Sequence, residues 1–103
     1  MLSKISLGVS SAALEDIYLI SDWYELQKPG LRYRFVSELE LSIQNIVTAP
    51  EAYSRYDVTS FVRRYIMDSF PYKIFYHYNS FHGEIIALIH TSRSSRYIKR
   101  RLK

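Results

Sequence analysis

His90, Arg93, Tyr97 and Arg100 follow one another closely at the C-terminal end of the chain. An imidazole titrates nearest neutrality of all side chains, a phenol can give or accept a hydrogen bond, and guanidinium groups grip phosphate or carboxylate in bidentate fashion. One chemistry open to such a set is RNA cleavage by attack of a 2′-hydroxyl on its neighbouring phosphate. That reaction needs a proton acceptor, a proton donor for the leaving oxygen, and cations around the pentacoordinate phosphorus. His90 could be base or acid, Tyr97 could pass a proton if arginines stood beside it, and Arg93 would hold the phosphate. Arg63, Arg64, Lys73, Arg96 and Arg100 are further phosphate-binding or target-binding candidates. The other chemistry is plain binding, in which the same cations attract a polyanion or an acidic protein.

Each of these residues also has a structural reading. His90 closes an apolar run and could simply bond a neighbouring backbone group. Arg63 and Arg64 are adjacent on a predicted strand and must point to opposite faces, so one of them is expected to pair with a helix carboxylate such as Glu38 or Glu40. Tyr65, Tyr72, Phe75, Tyr76 and Tyr78 could stack on bases, but such residues more often fill a small core. His77, His82 and His90 match no usual ligand spacing, so neither a metal nor another cofactor is expected.

The elements that must position these groups can be read from hydrophobic period and turn residues. Ile5, Leu7 and Val9 alternate as a half-buried strand. From Ser11 the period becomes helical through Ala13, Ile17, Ile20 and Tyr24, with Ser10 or Ser11 as the cap and Glu15 and Asp16 favoured by the helix dipole. Pro29 and Gly30 stop that helix, and Phe35, Leu39, Ile43, Ile46 and Val47 define a second that runs towards Pro50. Trp23 is expected on a helix surface beside the apolar stripe, where exposure would mark a protein contact. The segments 61–70, 72–78 and 84–90 favour strand, with a hairpin loop over 79–83. The economical arrangement is α+β: an N-terminal strand, then an antiparallel two-helix hairpin packed on one face of a small antiparallel sheet, then a short basic tail or helix.

Composition sets the outer limits. The 103 residues, 48% of them apolar, suffice for one domain with one core, taken as 1–103. Without cysteine there can be no disulfide framework, thiolate zinc site or cysteine nucleophile, as suits a reducing compartment. The alternation at the N-terminus is too short for a signal peptide or a membrane span, so a cytoplasmic protein without membrane association is expected. Charge is divided unevenly: up to Glu51 there are four basic against seven acidic residues, and beyond it ten against three. The C-terminal half is therefore strongly positive and suited to an acidic complement.

With these residues in view, the chain resembles RelE/ParE-type toxins of bacterial type II toxin-antitoxin systems. The resemblance covers nearly the whole chain. It is carried by Ala13, Leu14, Glu15, Asp16 and Ile17; by Pro29, Gly30 and Leu31 with Arg34 and Phe35; and by Ile46 followed by Pro50. The pair Arg63 and Arg64, the run Phe70, Pro71 and Tyr72 with Ile74 and Tyr76, and finally His90, Arg93, Tyr97 and Arg100 complete it. It implies growth inhibition held in check by a cognate antitoxin. RelE-like members cut mRNA on the ribosome, whereas ParE-like members poison DNA gyrase. RelE-like members also carry a second cation just upstream of the Arg93 position and closely spaced lysines in the middle strands. Here His90, Thr91 and Ser92 precede Arg93, and Lys73 stands between Tyr72 and Ile74, so the ParE-like branch is favoured. Under the RelE-like alternative the chain would be a metal-independent, ribosome-dependent mRNA endonuclease with His90, Tyr97 and Arg93 as catalytic groups. An inactive relative serving as a binding module is the third reading, and the residues neither require nor exclude a homodimer.

Overall fold

The computed structural model describes residues 5–56, 61–94 and 96–102. Strand β1 (Ser6–Val9) leads into helix α1 (Ser11–Gln27) and helix α2 (Leu31–Thr48), and a single 3₁₀ turn at Pro50–Ala52 follows. Strands β2 (Arg63–Ile66), β3 (Tyr72–Tyr78) and β4 (His82–His90) come next, and helix α3 (Arg96–Arg101) ends the chain. As expected, Ser10 caps α1, its hydroxyl oxygen accepting from the Ala13 amide at 3.1 Å. Gly30, at φ +90°, takes the left-handed conformation that lets the chain reverse. The Glu25 carboxylate accepts from the Gly30 and Arg32 amides, which would otherwise be orphan donors at the start of α2.

The sheet order is β1-β4-β3-β2. The expected antiparallel pairing holds for β2, β3 and β4, whereas β1 joins β4 in parallel, making the sheet mixed. A strand followed by a helical hairpin cannot turn straight back, and β1 finds its partner far along the chain. The predicted strand over 61–70 shortens to Arg63–Ile66. Asp68, Ser69 and Pro71 instead form a turn that the Met67 amide closes on the Tyr72 carbonyl, and Met67 and Phe70 fold back into the core. β4 begins earlier than expected, at His82, because Asn79 accepts from the Phe81 and His82 amides and tightens the loop. Gly83 is sterically required, since a Cβ there would lie 2.5 Å from the His77 carbonyl oxygen.

The two faces of the sheet carry separate cores. The helical hairpin covers one face through Ala13, Phe35, Leu39 and Ile46 packed on Tyr65, Ile74, Tyr76, Ile85 and Leu88. On the other face Val62, Phe75, Ile86 and Ala87 pack with Ile98 of α3. A bulge in β4 decides which residues reach which face: Phe75 pairs with Ala87 but Tyr76 with Ile85, so Ile86 is an extra residue. Unbroken alternation from Ile85 would send Leu88 and His90 to the face opposite the helices. The extra residue restores them to the helix side.

Candidate functional site

His90 stands at the end of β4 beside Tyr72 of β3, with the two rings edge to face and 5.2 Å apart. Its Nδ1 accepts from the Ser92 amide at 3.1 Å and lies 2.8 Å from the Ser92 hydroxyl. An amide can only donate, so in this arrangement Nδ1 is the acceptor and the neutral ring carries its proton on Nε2. The expectation that His90 bonds a nearby backbone group is therefore met, and the outward nitrogen remains a donor. The turn behind it is tied down by Thr91 N donating to Pro71 O and Arg93 N donating to His90 O.

Tyr97 projects from α3 between two guanidinium groups. Arg93 lies over its ring at 4.8 Å and also donates to its hydroxyl, while Arg100 lies 5.8 Å from the ring centre. α3 has only six residues, too few to hold a helix alone, so its place depends on docking. Ile98, fully buried, is one anchor, and Arg101, bonded to Asp16 of α1, is the other. His90, Arg93 and Tyr97 all line one cavity of about 320 Å³ between α1 and α3, closed on the α1 side by Leu19 and Ile20. A second cavity of about 440 Å³, lined by Trp23, Tyr24, Pro71, Tyr72 and His90, shares Tyr72 and His90 with the first. The two form one groove along the α1 side of the sheet. Burial raises the pKa of Tyr72 in this groove, and burial followed by the neighbouring Tyr72 raises that of Tyr24, so both stay neutral donors at physiological pH.

The other sequence-predicted site residues divide. Arg100 joins the cluster, and Arg96 is exposed on the same helix. Lys73 and Arg64 do not line its cavity: Lys73 alternates with Tyr72 and Ile74, and Arg64 pairs with Phe75, so both lie on the opposite face of the sheet from His90, the face on which α3 docks. Arg64 borders a different hollow with Tyr53, Ser54 and Asp68. Arg63 donates to the carbonyls of Tyr53 at 2.6 Å and Glu51 at 3.3 Å, holding the segment after α2 against β2. Among the described residues neither Arg63 nor Arg64 forms the expected ion pair with a helix carboxylate, and Glu38 accepts from the Ser69 amide. Tyr65, Phe75 and Tyr76 are core residues, as their structural reading has it. Burial holds the Tyr76 phenol well above its ordinary value of 10.0, outweighing the nearby Arg63 charge, and its hydroxyl donates to the Pro50 carbonyl.

Two residues of the site escape a reading of the sequence for functional groups. Asp16 reads there as a helix-dipole partner, and Arg101 as one more tail cation. The signal that could have found them is weak, consisting only of an acidic residue on the inner side of α1, whose other residues there are uncharged.

A larger cavity lies elsewhere, about 810 Å³ beside Leu7, Phe61, His77, His82 and Glu84 at the β3–β4 turn. Among the described residues no arginine or lysine lines it, and its polar pair, His77 and Glu84, is 3.7 Å apart. For an anionic or acidic target the smaller groove is the better candidate. Among the described residues Arg93, Arg96, Lys99 and Arg100 make no ion pair, so their charge is available to a partner. Among the described residues no cluster of three or more His, Cys, Asp or Glu could hold a metal ion, and no helix is long and apolar enough to cross a membrane.

Comparison with known proteins agrees with the architecture. A solved structure described as the chromosomal ParDE TA system from P. aeruginosa superposes with a TM-score of 0.75, covering 87% of this chain and 99% of that one at 15% identity. That likeness is one of fold. No curated protein matches the sequence. Residues 7–95, from β1 to the start of α3, match the family described as the ParE toxin of type II toxin-antitoxin system, parDE, and the chain belongs to that family.

Proposed function

We propose that this toxin acts by binding DNA gyrase in the cytoplasm through His90, Arg93, Tyr97, Arg96 and Arg100, and that a cognate antitoxin covers it until released. The observation that carries this reading is the unpaired cationic cluster held around Tyr97 on a docked helix. A nuclease would need further cations around the phosphate, yet neither Lys73 nor Arg64 lines the cavity that His90, Arg93 and Tyr97 share. A binding surface needs only charge, shape and a rigid aromatic anchor. The antitoxin is favoured by the outer side of α1, where Leu19, Trp23 and Leu26 lie exposed, Trp23 at 55% and Leu26 at 82%. Contiguous apolar surface of this kind marks a protein contact.

The RelE-like reading keeps one point in its favour, that a His90 donor and the Tyr97 hydroxyl border the same cavity. Pulse labelling in the first minutes after tight induction separates the readings. Early loss of DNA synthesis with an SOS response is expected for gyrase poisoning. A fall in protein synthesis with cut transcripts would establish the nuclease, and no effect on either would leave a binding module. Tyr97→Phe sharpens the test, because it removes the proton a nuclease needs but keeps the ring between Arg93 and Arg100. Growth inhibition should largely survive it.

A further inference from the structure

We infer that Asp16 is a positioning residue for the tail site, the group that fixes α3 to the body of the protein and so sets Tyr97, Arg93 and Arg100 in their places. The inference rests on the proposed role of that site, but its physical part can be tested separately.

The reason for a carboxylate at this position lies in the sheet. β1 ends at Val9, paired with Ile85, and beyond that point the outer edge of β4 has no neighbouring strand among the described residues. The Leu88 amide faces that open edge, where a buried donor without an acceptor is costly. Asp16 Oδ2 accepts from it at 3.1 Å. The same oxygen accepts from Arg101 Nη1 at 3.0 Å, and Oδ1 accepts from Arg101 Nη2 at 3.1 Å, a bidentate grip that a lysine could not reproduce. Arg101 Nη1 also donates to the Ile86 carbonyl at 2.7 Å on the same edge. Both side chains are sheltered, Asp16 at 18% and Arg101 at 31% exposure.

α1, β4 and α3 thus meet at one carboxylate. Ile98 and Arg101 are three residues apart and form the inward side of α3, while Tyr97 and Arg100 are likewise three apart and form the outward side. Losing the inward hold leaves Ile98 as the remaining anchor of a helix too short to persist alone. The outward groups then lose their common geometry, without any of them having been altered.

The absence of cysteine from the chain makes this directly measurable. Full-length protein made by cell-free synthesis would carry Ala87→Cys, a thiol buried on β4 beneath α3 with the Ile98 anchor kept, or Ile46→Cys, a thiol buried in α2 as a reporter on the main core. The alkylation rate of each thiol by iodoacetamide follows how often its surroundings open. Asp16→Asn and Arg101→Met should each raise the rate at position 87 by about tenfold or more, the loss of one or more hydrogen bonds to a charged group, with little change at position 46. Arg101→Lys should fall between. In cells, Asp16→Asn without either thiol should weaken growth inhibition and the conservative Arg101→Lys should retain more of it than Arg101→Met. Unchanged alkylation at 87 would overturn the inference, and so would a parallel rise at both thiols, since Asp16 would then support the whole fold. Full growth inhibition by a variant whose tail is shown to be loose would overturn the positioning role. Should Tyr97→Ala combined with Arg100→Ala also remain fully inhibitory, the failure lies with the site itself, and the thiol rates alone judge the hold of Asp16 on α3.

Discussion

The two faces of the sheet are built to different standards. On the helix side, Tyr24, Phe35, Phe70 and Tyr72 form an aromatic box with ring centres between 5.0 and 6.4 Å apart, closed over by two helices of 17 and 18 residues. On the tail side, Phe75, Ile86 and Ala87 are covered by Val62 and by a six-residue helix that contributes one buried side chain, Ile98. The first face can hold the fold. The second holds the helix of the candidate site, whose docking, and not its integrity as a helix, fixes where its charges stand. Separating the two tasks lets a small protein keep a cationic surface together against its own repulsion without relying on that surface for stability.

The comparison breaks most sharply at Phe35 and Ile98, both fully buried apolar residues. Phe35→Ala removes the ring that packs on Tyr24, Phe70 and Tyr72 and should cost about 3–5 kcal/mol. Urea denaturation followed by circular dichroism is expected to show little folded protein. Ile98→Ala should cost less, no more than the roughly 1.5–3 kcal/mol of burying such a side chain, because α3 can release in place of leaving a cavity. Its denaturation midpoint should stay much closer to that of the parent, yet growth inhibition should fall strongly. A comparable loss of stability in both variants would mean that the two faces form one cooperative core.

The same division governs what could be read from the sequence. The helix side was legible because its information is local: Phe35, Leu39 and Ile46 recur at helical spacing, Ser10 caps, and Pro29 with Gly30 terminates. The predicted strand over 61–70 extends too far because Phe70 favours strand as Val62, Tyr65 and Ile66 do, although Met67 and Phe70 tuck around the turn at Asp68 and Ser69. The parallel pairing of β1 was hidden by distance along the chain, and so was the part played by Asp16. Its partners Leu88 and Arg101 lie 72 and 85 residues away, and no local pattern couples them. Arg63 failed as a carboxylate partner for a related reason, since backbone carbonyls, which composition cannot count, satisfy its guanidinium. For the candidate site, the sequence singles out His90, Arg93, Tyr97 and Arg100, which the structure brings near one another. It could not tell that Lys73 and Arg64 fall on the other face, which the register and the bulge at Ile86 determine.

A smaller effect sharpens the account of the helix side. The Tyr76 hydroxyl donates to the Pro50 carbonyl at 2.7 Å in a buried setting, tying β3 to the turn after α2. Tyr76→Phe should cost about 1–2 kcal/mol, the price of an orphaned buried acceptor. Burial raises the folded-state pKa of this phenol, so the unfolded chain ionises first as pH climbs past 10.0. The native state then binds more protons than the unfolded one, and stability must fall with rising pH in that window. The contribution is complete below pH 10.0 and lost above it. Denaturation midpoints measured across the alkaline range should fall more gently in Tyr76→Phe than in the parent. Equal slopes would assign the alkaline loss to the half-buried tyrosines whose phenols are also raised, Tyr24, Tyr53 and Tyr72.

The smallest effect expected concerns a second aspartate–arginine pair, which serves as a control on the first. Arg32 and Asp22 approach to 2.8 Å, closer than Arg101 and Asp16 at 3.0 Å, but their side chains are 38% and 62% exposed and both belong to the helical hairpin. Solvent screening and the entropy of holding two side chains in one geometry should leave this pair worth about 0.2–1 kcal/mol. A double-mutant cycle with Asp22→Ala and Arg32→Ala, read by urea denaturation, measures the coupling free of other losses. High salt should reduce it further, and growth inhibition should be untouched by either change. If the exposed pair proved as strongly coupled as Asp16 with Arg101, proximity alone would account for both. The bidentate geometry, the shelter of the sheet edge and the shared bond to Leu88 would then lose their standing as the features that set the tail's anchor apart.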